Sequence, residues 1–332
     1  MLSSAEMDTD RRATKPPNTC NTRRISVTSR SYGFVGLGNM GLPMARRLLE
    51  AGYSLSVFDT RRDVAETLVA DGATVAESLS DLGRNADVVF MSLPTPDAVK
   101  AVCLSPGGLR EAERAEVIVD LSTTGPRVAT EVAQVLSDAG KTWIDCPVSG
   151  GVAGARKGTL TLMVSGDAGW IETLAPVIAC FGKQFVVGTE AGSGHSMKII
   201  NNLMSSAALA VTSECLVLGR KLGLEPETML EVLNSGSGRN SATTDKIPNF
   251  VLPGSFDFGF AIALSSKDAR LCLEEGDRMG VPMIVGNAVR QLMNIARDSL
   301  GPDADMTEVI RVVEGWAGAE VRGKDVAQKA AE

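Results

Sequence analysis

Residues 32–59 read YGFVGLGNMGLPMARRLLEAGYSLSVFD, and this stretch decides the fold. An apolar run from Tyr32 to Val35 is followed by a glycine-rich turn, a helical pattern from Asn39 to Ala51 and a second apolar run from Leu55 to Phe58. A strand, a helix and a second strand joined in this way form a βαβ unit, whose two strands lie parallel. The stretch therefore predicts the beginning of a parallel sheet covered by helices.

The same alternation continues beyond this unit. Further apolar runs occupy residues 88–91, 117–119 and 143–144, and helical patterns occupy about 64–70 and 128–138. Such alternation predicts a doubly wound α/β domain with helices on both faces of the sheet. After Gly188 only helical patterns remain, at about 194–222, 226–233, 267–279, 285–298 and 306–314. The second half is therefore predicted to be all-helical, and its first helix joins the two halves.

The six residues from Gly36 to Gly41, GLGNMG, match the pattern G-x-G-x-x-G. A strand precedes the motif, a helix follows it, and Asp59 ends the next strand 18 residues past Gly41. The three glycines allow a tight turn, a close approach to a pyrophosphate, and close packing of helix on strand. A glycine turn that binds nothing is the alternative, but the complete context favours a dinucleotide. Its contacts are predicted at Gly36, Leu37, Gly38, Asn39, Met40 and Asp59.

Asp59 bears on which dinucleotide is bound. A carboxylate at this strand end accepts hydrogen bonds from the adenosine ribose of NAD and repels the 2′-phosphate of NADP. Arg61 and Arg62 follow closely, and they either pair with that phosphate or lie in solvent at a helix start. We expect NAD to be preferred, with NADP as the alternative.

The composition excludes several classes of function. The chain has 332 residues, a net charge of −7 and one histidine, His195, so a metal site with several histidine ligands is excluded and no metal is expected. Residues 1–31 carry a charge of +3 and the remainder carries −10. This acidic body argues against a nucleic-acid partner, because phosphate binding needs a concentrated basic face. The six cysteines form no C-x-x-C pair, which is typical of buried thiols in a reducing compartment.

The ends of the chain have a different character. Residues 1–31 are polar and lack an apolar period, so we predict a disordered extension there and a flexible tail at 323–332. A mitochondrial transit segment is the alternative for the extension, although its early acids and proline pair weaken an amphipathic helix. The stretch 203–218 is too polar and too short for a membrane span of about 20 residues. We expect a cytoplasmic protein with no membrane partner, the mitochondrial matrix being the lesser alternative.

Lys198 and Asn202 are four residues apart in the predicted 194–222 helix and so share one face. Lys198 stands among Met197, Ile199 and Ile200. Apolar surroundings lower the pKa of a lysine, and such a pKa suits proton exchange with a substrate hydroxyl. By spacing alone, a lysine that extends its ammonium to water is the commoner interpretation. The pair Lys267-Asp268, by itself, is likewise typical of an exposed helix start.

A second glycine-rich turn, DCPVSGG at 145–151, follows a strand. Glycines at the carboxyl end of a strand allow successive backbone N–H groups to face one point, which suits a carboxylate. A flexible entry to a hairpin is equally consistent with the spacing. The residues alone leave both interpretations open.

Together these motifs resemble those of the β-hydroxyacid dehydrogenase family, which includes 3-hydroxyisobutyrate dehydrogenase, tartronate semialdehyde reductase, threonate dehydrogenase and sulfolactaldehyde reductase. The resemblance covers residues 32 to about 318 and rests on GFVGLGNMGLPMA at 33–45, DLSTTGP at 120–126, DCPVSGGVAGARKGTLTLMVSGD at 145–167, GSGHSMKIINN at 192–202 and KD at 267–268. It implies an α/β protein in which a Rossmann-type dinucleotide-binding domain, residues 32–193, is joined by a long helix to a helical substrate and oligomerisation domain, residues 194–322.

The resemblance also implies an activity: hydride exchange between NAD(P), NAD being favoured, and a small carboxylate-bearing 3-hydroxy acid or its semialdehyde. Lys198 would be the general acid/base with Asn202 beside it, both touching substrate, and Ser122, Ser149, Gly150 and Gly151 would hold the substrate carboxylate. Leu93, Pro94 and Thr123 would line the nicotinamide side of the cofactor, and Lys267 would reach towards the cleft. Relatives commonly form homodimers or homotetramers.

Some positions depart from the family pattern. Cys146 stands where alanine is frequent, and residues 236–241, GSGRNS, form a polar loop expected to face the substrate, with Arg239 either meeting an anion or lying on the surface. An NADP-dependent semialdehyde or imine reductase and a noncatalytic NAD(P)-binding scaffold are the alternatives. The retained Lys198 counts against the imine reductase and the scaffold, because imine reductases commonly carry another residue at this position and the noncatalytic member of the family has lost the lysine. His195 is expected to serve the helix start rather than the chemistry.

Overall fold

The structure, a computed structural model, describes residues 30–324. The strands of this part of the chain are Tyr32–Val35 (β1), Leu55–Phe58 (β2), Thr74–Val75 (β3), Val88–Met91 (β4), Val117–Asp120 (β5), Thr142–Asp145 (β6), Val148–Ser149 (β7), Leu160–Gly166 (β8) and Gly182–Gly188 (β9). The α-helices are Gly41–Glu50 (α1), Arg62–Glu66 (α2), Leu79–Asn85 (α3), Pro96–Leu104 (α4), Pro126–Asp138 (α5), Gly151–Lys157 (α6), Ala168–Ile178 (α7), Ser193–Lys221 (α8), Pro226–Ser235 (α9), Ile262–Arg278 (α10), Ile284–Leu300 (α11) and Val309–Ala317 (α12). Two 3-10 helices, Leu109–Glu111 and Met306–Glu308, and a π-helix, Ala242–Val251, complete it.

The first six strands form the doubly wound part of the sheet. They lie in the order β3-β2-β1-β4-β5-β6, and each neighbouring pair is parallel. β1, β4 and β5 are buried along their whole length, which explains their unbroken apolar sequences, because helices cover both faces of such a sheet. The predicted fold, a Rossmann-type sheet joined by a long helix to a helical domain, is confirmed.

The other edge of the sheet departs from the predicted parallel arrangement. β8 runs antiparallel to β6 and β7, and β9 pairs parallel to β8. The turn at 145–151 therefore leads from β6 through the two-residue strand β7 into α6. It lies at the carboxyl end of the parallel sheet, where ligands bind in open α/β folds.

Two glycines make the turn between β1 and α1 possible. Gly36 has a φ of +87°, and a Cβ there would collide with the carbonyl oxygen of Ser92. A Cβ on Gly41 would collide with the carbonyl oxygen of Gly36. The helix that follows buries Met44, Ala45 and Leu48, the spacing of an amphipathic helix on a sheet.

The helix α8 joins the two halves of the molecule. Its beginning packs against β6, β8 and β9, and the rest packs against α10, α11, α12 and the π-helix. By length and composition α8 is able to cross a membrane, but 50% of its most apolar window is buried inside the protein. Burial of this extent is typical of the central helix of a folded domain.

Several element boundaries differ from the predicted ones. α10 begins at Ile262, so Lys267 lies more than a turn inside this helix instead of at its start. The helix predicted at 64–70 is limited to Arg62–Glu66 and is followed by turns. The π-helix was not predicted, because its wide turns do not follow the period of 3.6 residues.

The chain ends and the cysteines differ in part from their predicted placement. Arg30 and Ser31, assigned to the extension, contact the folded domain: Arg30 lies over the Trp170 ring and pairs with Glu116. The rest of the predicted extension, with Cys20, and residues 325–332 lie outside the described residues. Cys103, Cys146 and Cys272 are buried as expected, whereas Cys180 is half-buried and Cys215 is exposed, contrary to expectation.

Candidate active site

The glycine-rich turn borders a cavity of about 770 Å³ at the carboxyl end of the sheet. Asp59 holds this turn, because its carboxylate accepts a hydrogen bond of 2.6 Å from the Leu37 N–H. Gly38 has no atom within 4 Å of the position that a Cβ would occupy, so the backbone is open to a ligand. Leu37, Gly38 and Asn39 line the cavity together with Arg46, Arg47, Arg61, Arg156 and Phe258. An open N–H-bearing turn with arginines around it fits the pyrophosphate of a dinucleotide.

The two arginines after Asp59 differ in what they contact. Arg62 forms ion pairs with Glu66 and Glu77, which raise the pKa of its guanidinium, so its charge is already matched. Arg61 is exposed and lies 3.5 Å from an Asp59 carboxylate oxygen. One of the two candidate phosphate ligands is therefore engaged elsewhere.

The loops after β4 and β5 are joined by a side chain. The Ser122 hydroxyl accepts a hydrogen bond of 2.9 Å from the Leu93 N–H, and the Ser122 N–H donates to Asp120. Pro94 is exposed in the first of these loops and Thr123 is half-buried in the second. Leu93, predicted to line the nicotinamide, and Ser122, predicted to hold the substrate carboxylate, are thus in direct contact.

A buried polar cluster fixes the beginning of α8. Asp145 accepts hydrogen bonds from the N–H groups of Gly192 and Gly194, at 2.6 and 3.0 Å. The His195 ring lies between two carboxylates, with Nε2 3.3 Å from Asp120 and 3.5 Å from Asp145. All three side chains are fully buried. His195 therefore ties the helix start to the ends of β5 and β6, in agreement with the structural role predicted for it.

Lys198 follows one turn later on α8 and is 7% exposed. Burial lowers the pKa of this ammonium to about 8; the negative charge of Asp268 opposes this effect and the positive charge of Lys267 adds to it. The interpretation of Lys198 as a lysine that extends into solvent is therefore wrong. A buried amine with a pKa near 8 is able to take up and release a proton near neutral pH.

A chain of contacts connects the two domains beside Lys198. The Asn202 amide donates a hydrogen bond of 2.6 Å to Asp268, and Lys267 lies 3.1 Å from the other Asp268 oxygen. The Lys267 ammonium also donates to the Thr123 carbonyl at 2.8 Å. Asp268 is 1% exposed, so the pair at 267–268 is not the exposed helix start that its sequence suggests.

The second glycine-rich turn also lies against α8. The Asn201 amide donates to the Ser149 hydroxyl at 3.3 Å. Gly150 and Gly151 have φ values of +130° and +64°, and Gly151 begins α6. The Phe258 ring lies 3.7 Å from the position that a Cβ on Gly151 would occupy, which brings the segment before α10 to this turn.

Two chains of contacts beside Lys198 therefore bring five of the predicted residues together in the inter-domain region. One runs from Leu93 through Ser122, and the other from Thr123 through Lys267 and Asp268 to Asn202. Sequence reasoning missed Asp268, Asn201 and the pairing of Asp120 with Asp145. The sequence did contain a usable signal for Asp120 and Asp145, because both aspartates end strands that meet at the ligand-binding edge of the sheet. Within residues 30–324, no group of three or more histidine, cysteine or acidic side chains forms a metal site.

Comparison with known proteins follows the same division into two halves. The family profile described as "NAD binding domain of 6-phosphogluconate dehydrogenase" matches residues 31–189. The profile described as "NAD-binding of NADP-dependent 3-hydroxyisobutyrate dehydrogenase" matches residues 192–313. Together they span nearly all of the described chain.

Individual relatives match over most of their length. A 2-(hydroxymethyl)glutarate dehydrogenase of Eubacterium barkeri is 39% identical over 88% of this chain and 97% of its own. The mitochondrial 3-hydroxyisobutyrate dehydrogenase of Homo sapiens is 33% identical over 80% of this chain and 82% of its own. The solved structure of Mycobacterium tuberculosis 3-hydroxyisobutyrate dehydrogenase with L-serine superimposes with a TM-score of 0.77, at 30% identity, over 86% of this chain and 99% of its own.

Proposed function

The chain belongs to the β-hydroxyacid dehydrogenase family and is an NAD(P)-dependent oxidoreductase acting on CH–OH groups, and from this premise we propose that it oxidises a small 3-hydroxy acid to its semialdehyde, with Lys198 as general base. The observation that carries the proposal is the buried Lys198 amine, whose pKa is lowered to about 8. When bound, the nicotinamide supplies the acceptor for the hydride. The protein's part is to orient the substrate and to move one proton.

In the oxidation direction the neutral Lys198 amine accepts the proton of the substrate hydroxyl as the hydride leaves the carbinol carbon. In the reduction direction the ammonium returns that proton to the carbonyl oxygen, so the same group is acid and base. Asn202 lies one turn further along α8; its amide nitrogen donates to Asp268 and its amide oxygen accepts from Asn201, so the direction of its second N–H is fixed. It is suited to a hydrogen bond with the substrate oxygen next to Lys198.

The substrate carboxylate has a separate proposed binding site. Ser122 and the turn Ser149-Gly150-Gly151 supply a hydroxyl and backbone N–H groups without bringing a second negative charge near the carboxylate. The Asn201 amide orients the Ser149 hydroxyl. Two relatives are named for substrates that share the unit HO–CH₂–CHR–COO⁻, with R a methyl group in 3-hydroxyisobutyrate and a propionate arm in 2-(hydroxymethyl)glutarate. We assign this shared unit to the present enzyme.

NAD is the proposed cofactor. Asp59 would repel a 2′-phosphate, and Arg62, one of the two arginines able to bind it, is paired with Glu66 and Glu77. The glycine-rich turn at 36–40 and Asp59 would hold the adenosine diphosphate half, and Leu93, Pro94, Thr123 and Lys267 the nicotinamide half. We also propose a homo-oligomer, a dimer or a tetramer, in the cytoplasm.

Replacement of the proposed base tests the function directly. We expect Lys198→Met to lower kcat for 3-hydroxy acid oxidation by at least 10³-fold, because no nearby group would take up the proton. Lys198→Arg should be equally inactive, since a guanidinium keeps its proton. Turnover is followed by nicotinamide absorbance with NAD and NADP separately, and NAD binding by titration calorimetry.

The binding measurement is the control, because the Lys198 variants should bind NAD as the wild type does. Lys183→Met, at an exposed lysine on β9, is the matched substitution and should retain full turnover. Normal turnover by Lys198→Met would refute the proposed role. Absence of turnover by the wild type on all 3-hydroxy acids, with intact NAD binding, would refute the proposed substrate class.

A further inference from the structure

A second buried lysine, Lys246, lies on the π-helix and has no part in the mechanism above. Lys246 as a whole residue is only 4% exposed. Its ammonium makes one hydrogen bond, of 3.2 Å to the Ser241 hydroxyl, and lies 5.4 Å from the centre of the Phe258 ring. No carboxylate within the described residues lies within ion-pairing distance of it. A buried cation with three donors and so few partners is costly to the fold, which suggests a ligand that is not part of the chain.

The surroundings of Lys246 connect it to the substrate region. Phe258, whose ring the ammonium faces, lies against Gly151 of the turn assigned to the substrate carboxylate. The two contacts together limit the distance from the Lys246 ammonium to this turn to roughly 11 Å, allowing for the width of the ring. An extended five-carbon diacid with a hydrogen-bond donor at each end spans about the same distance.

The position of the π-helix relative to α8 agrees with this placement. The π-helix packs against α8, and Asn240, just before it, exchanges hydrogen bonds with Thr212 of α8. At roughly 100° per residue, Asn201 and Thr212 lie within about 60° of Lys198 around the helix axis. The π-helix therefore packs on the same side of α8 as Lys198, at a contact about 21 Å further along the helix axis.

The polar loop at 236–241 lies next to Lys246 in the chain. Ser241 ends the GSGRNS loop and is exposed, although the ammonium it contacts is buried. Arg239 of the same loop is exposed and forms no ion pair within the described residues. Lys246 is buried and Arg239 is exposed, so Lys246 is the cation suited to a strong charge-assisted hydrogen bond.

We propose that Lys246, with Ser241, binds a second carboxylate of the substrate, so that the enzyme acts on 3-hydroxy diacids with a carboxylate-bearing arm in place of the methyl group of 3-hydroxyisobutyrate. This inference rests on the proposed function, because it extends the same HO–CH₂–CHR–COO⁻ unit to an anionic R group. Burial lowers the pKa of Lys246, and an anion bound beside it would favour the charged form again.

The test compares two substrates in two variants. With NAD, kcat/KM is measured for 2-(hydroxymethyl)glutarate and for 3-hydroxyisobutyrate in the wild type and in Lys246→Met. We expect the wild type to prefer the diacid. The variant should lose between 10- and 100-fold in kcat/KM for the diacid and change by less than about threefold for the monoacid, because only the diacid loses a charged hydrogen bond.

Lys183→Met is the matched control, because Lys183 also lies over a phenylalanine ring, 4.9 Å from the centre of Phe185, but on the edge strand β9. It should leave both substrates unchanged. Ser241→Ala removes the second proposed contact and should lower kcat/KM for the diacid several-fold. An unchanged ratio of diacid to monoacid activity in Lys246→Met overturns the subsite.

A binding measurement separates failure of the subsite from failure of the proposed function. Glutarate is added to the NAD-saturated protein and Tm is recorded, with butyrate as the monoacid probe. A rise in Tm with glutarate that is present in the wild type and absent in Lys246→Met supports the subsite even if neither hydroxy acid is oxidised. Equal rises in both proteins, or none in the wild type, overturn it.

Discussion

Lys198 is flanked by two charges that act on it in opposite directions. Asp268 favours its ammonium form and Lys267 disfavours it, while burial is the largest influence and lowers its pKa to about 8. Oxidation needs the neutral amine, so kcat/KM for the hydroxy acid should rise as the pH passes through about 8. Reduction of the semialdehyde needs the ammonium and should decline over the same range.

Single substitutions should move this pH dependence both ways. Asp268→Asn removes a negative charge that raises the pKa of Lys198, so the oxidation profile should shift to lower pH. Lys267→Met removes a positive charge that lowers the same pKa, so the profile should shift to higher pH. Each shift is read from kcat/KM measured from pH 6 to pH 10.

Glu274→Gln is the control for these profiles, because it neutralises an acid of the same helix α10 that pairs with Arg270 at the surface. Its profile should overlay that of the wild type. Shifts of the same sign in Asp268→Asn and Lys267→Met would contradict a direct electrostatic effect on Lys198.

How far the sequence identifies this site depends on the distance along the chain between the partners. Lys198 and Asn202 were predictable, because a helix places residues four apart on one face. Asp268 was not, because its contact with Asn202 joins residues 66 positions apart and no local pattern encodes it. Lys246 was missed because it lies in a π-helix, where the usual helical spacing does not apply.

At the scale of elements, α8 depends on the polar cluster at its first turn. His195 separates the buried carboxylates of Asp120 and Asp145, and its Nδ1 accepts a hydrogen bond of 3.4 Å from the Thr124 N–H. This cluster sets where the helix begins and hence where Lys198 points. The sequence predicted that this helix begins at about residue 194, but the carboxylates come from two distant strands.

We expect His195→Leu to lower the free energy of unfolding by about 3 kcal/mol, because two buried carboxylates would face each other without the ring between them. His195→Gln retains a donor and an acceptor and should cost about 1 kcal/mol. Urea unfolding at pH 7 measures both. Equal losses in the two variants would mean that His195 contributes volume rather than hydrogen bonds.

At the scale of the whole molecule, α8 presents an apolar surface on the side opposite to Lys198. Met197, Ile200, Met204, Val211, Leu218 and Leu222 are all between 38% and 69% exposed and recur at intervals of three, four or seven residues. An exposed row of this kind is typical of a protein interface. It supports the proposed homo-oligomer, with a second copy of the chain covering this face.

The double variant Met204→Glu, Leu218→Glu should therefore sediment as a monomer under conditions in which the wild type is a dimer or tetramer. Charges placed in the centre of an apolar interface are left unpaired on association and oppose it. Val69→Glu, at a 54% exposed apolar residue of the first domain, is the control and should keep the assembly. Sedimentation velocity distinguishes the two outcomes, and an unchanged assembly in the double variant would place the interface elsewhere.

The parallel core of the sheet was more predictable than its antiparallel edge. Apolar runs and glycine turns specify the parallel core of the sheet, because each βαβ unit is a local pattern. The antiparallel pairing of β8 was not predicted, since β7 has two residues and the helix α6 that separates it from β8 has seven. Short elements carry too little periodicity to be recognised.

The uninterrupted length of α8 constrains how the cleft opens. This helix has 29 residues, without proline, and so forms a rod of about 43 Å that is anchored in both domains. A rod of this kind has no hinge, so the domains cannot swing apart at their junction by bending it. Motion that admits substrate is therefore expected outside α8, in irregular segments of the helical domain such as the loop at 236–241 and the stretch at 252–261.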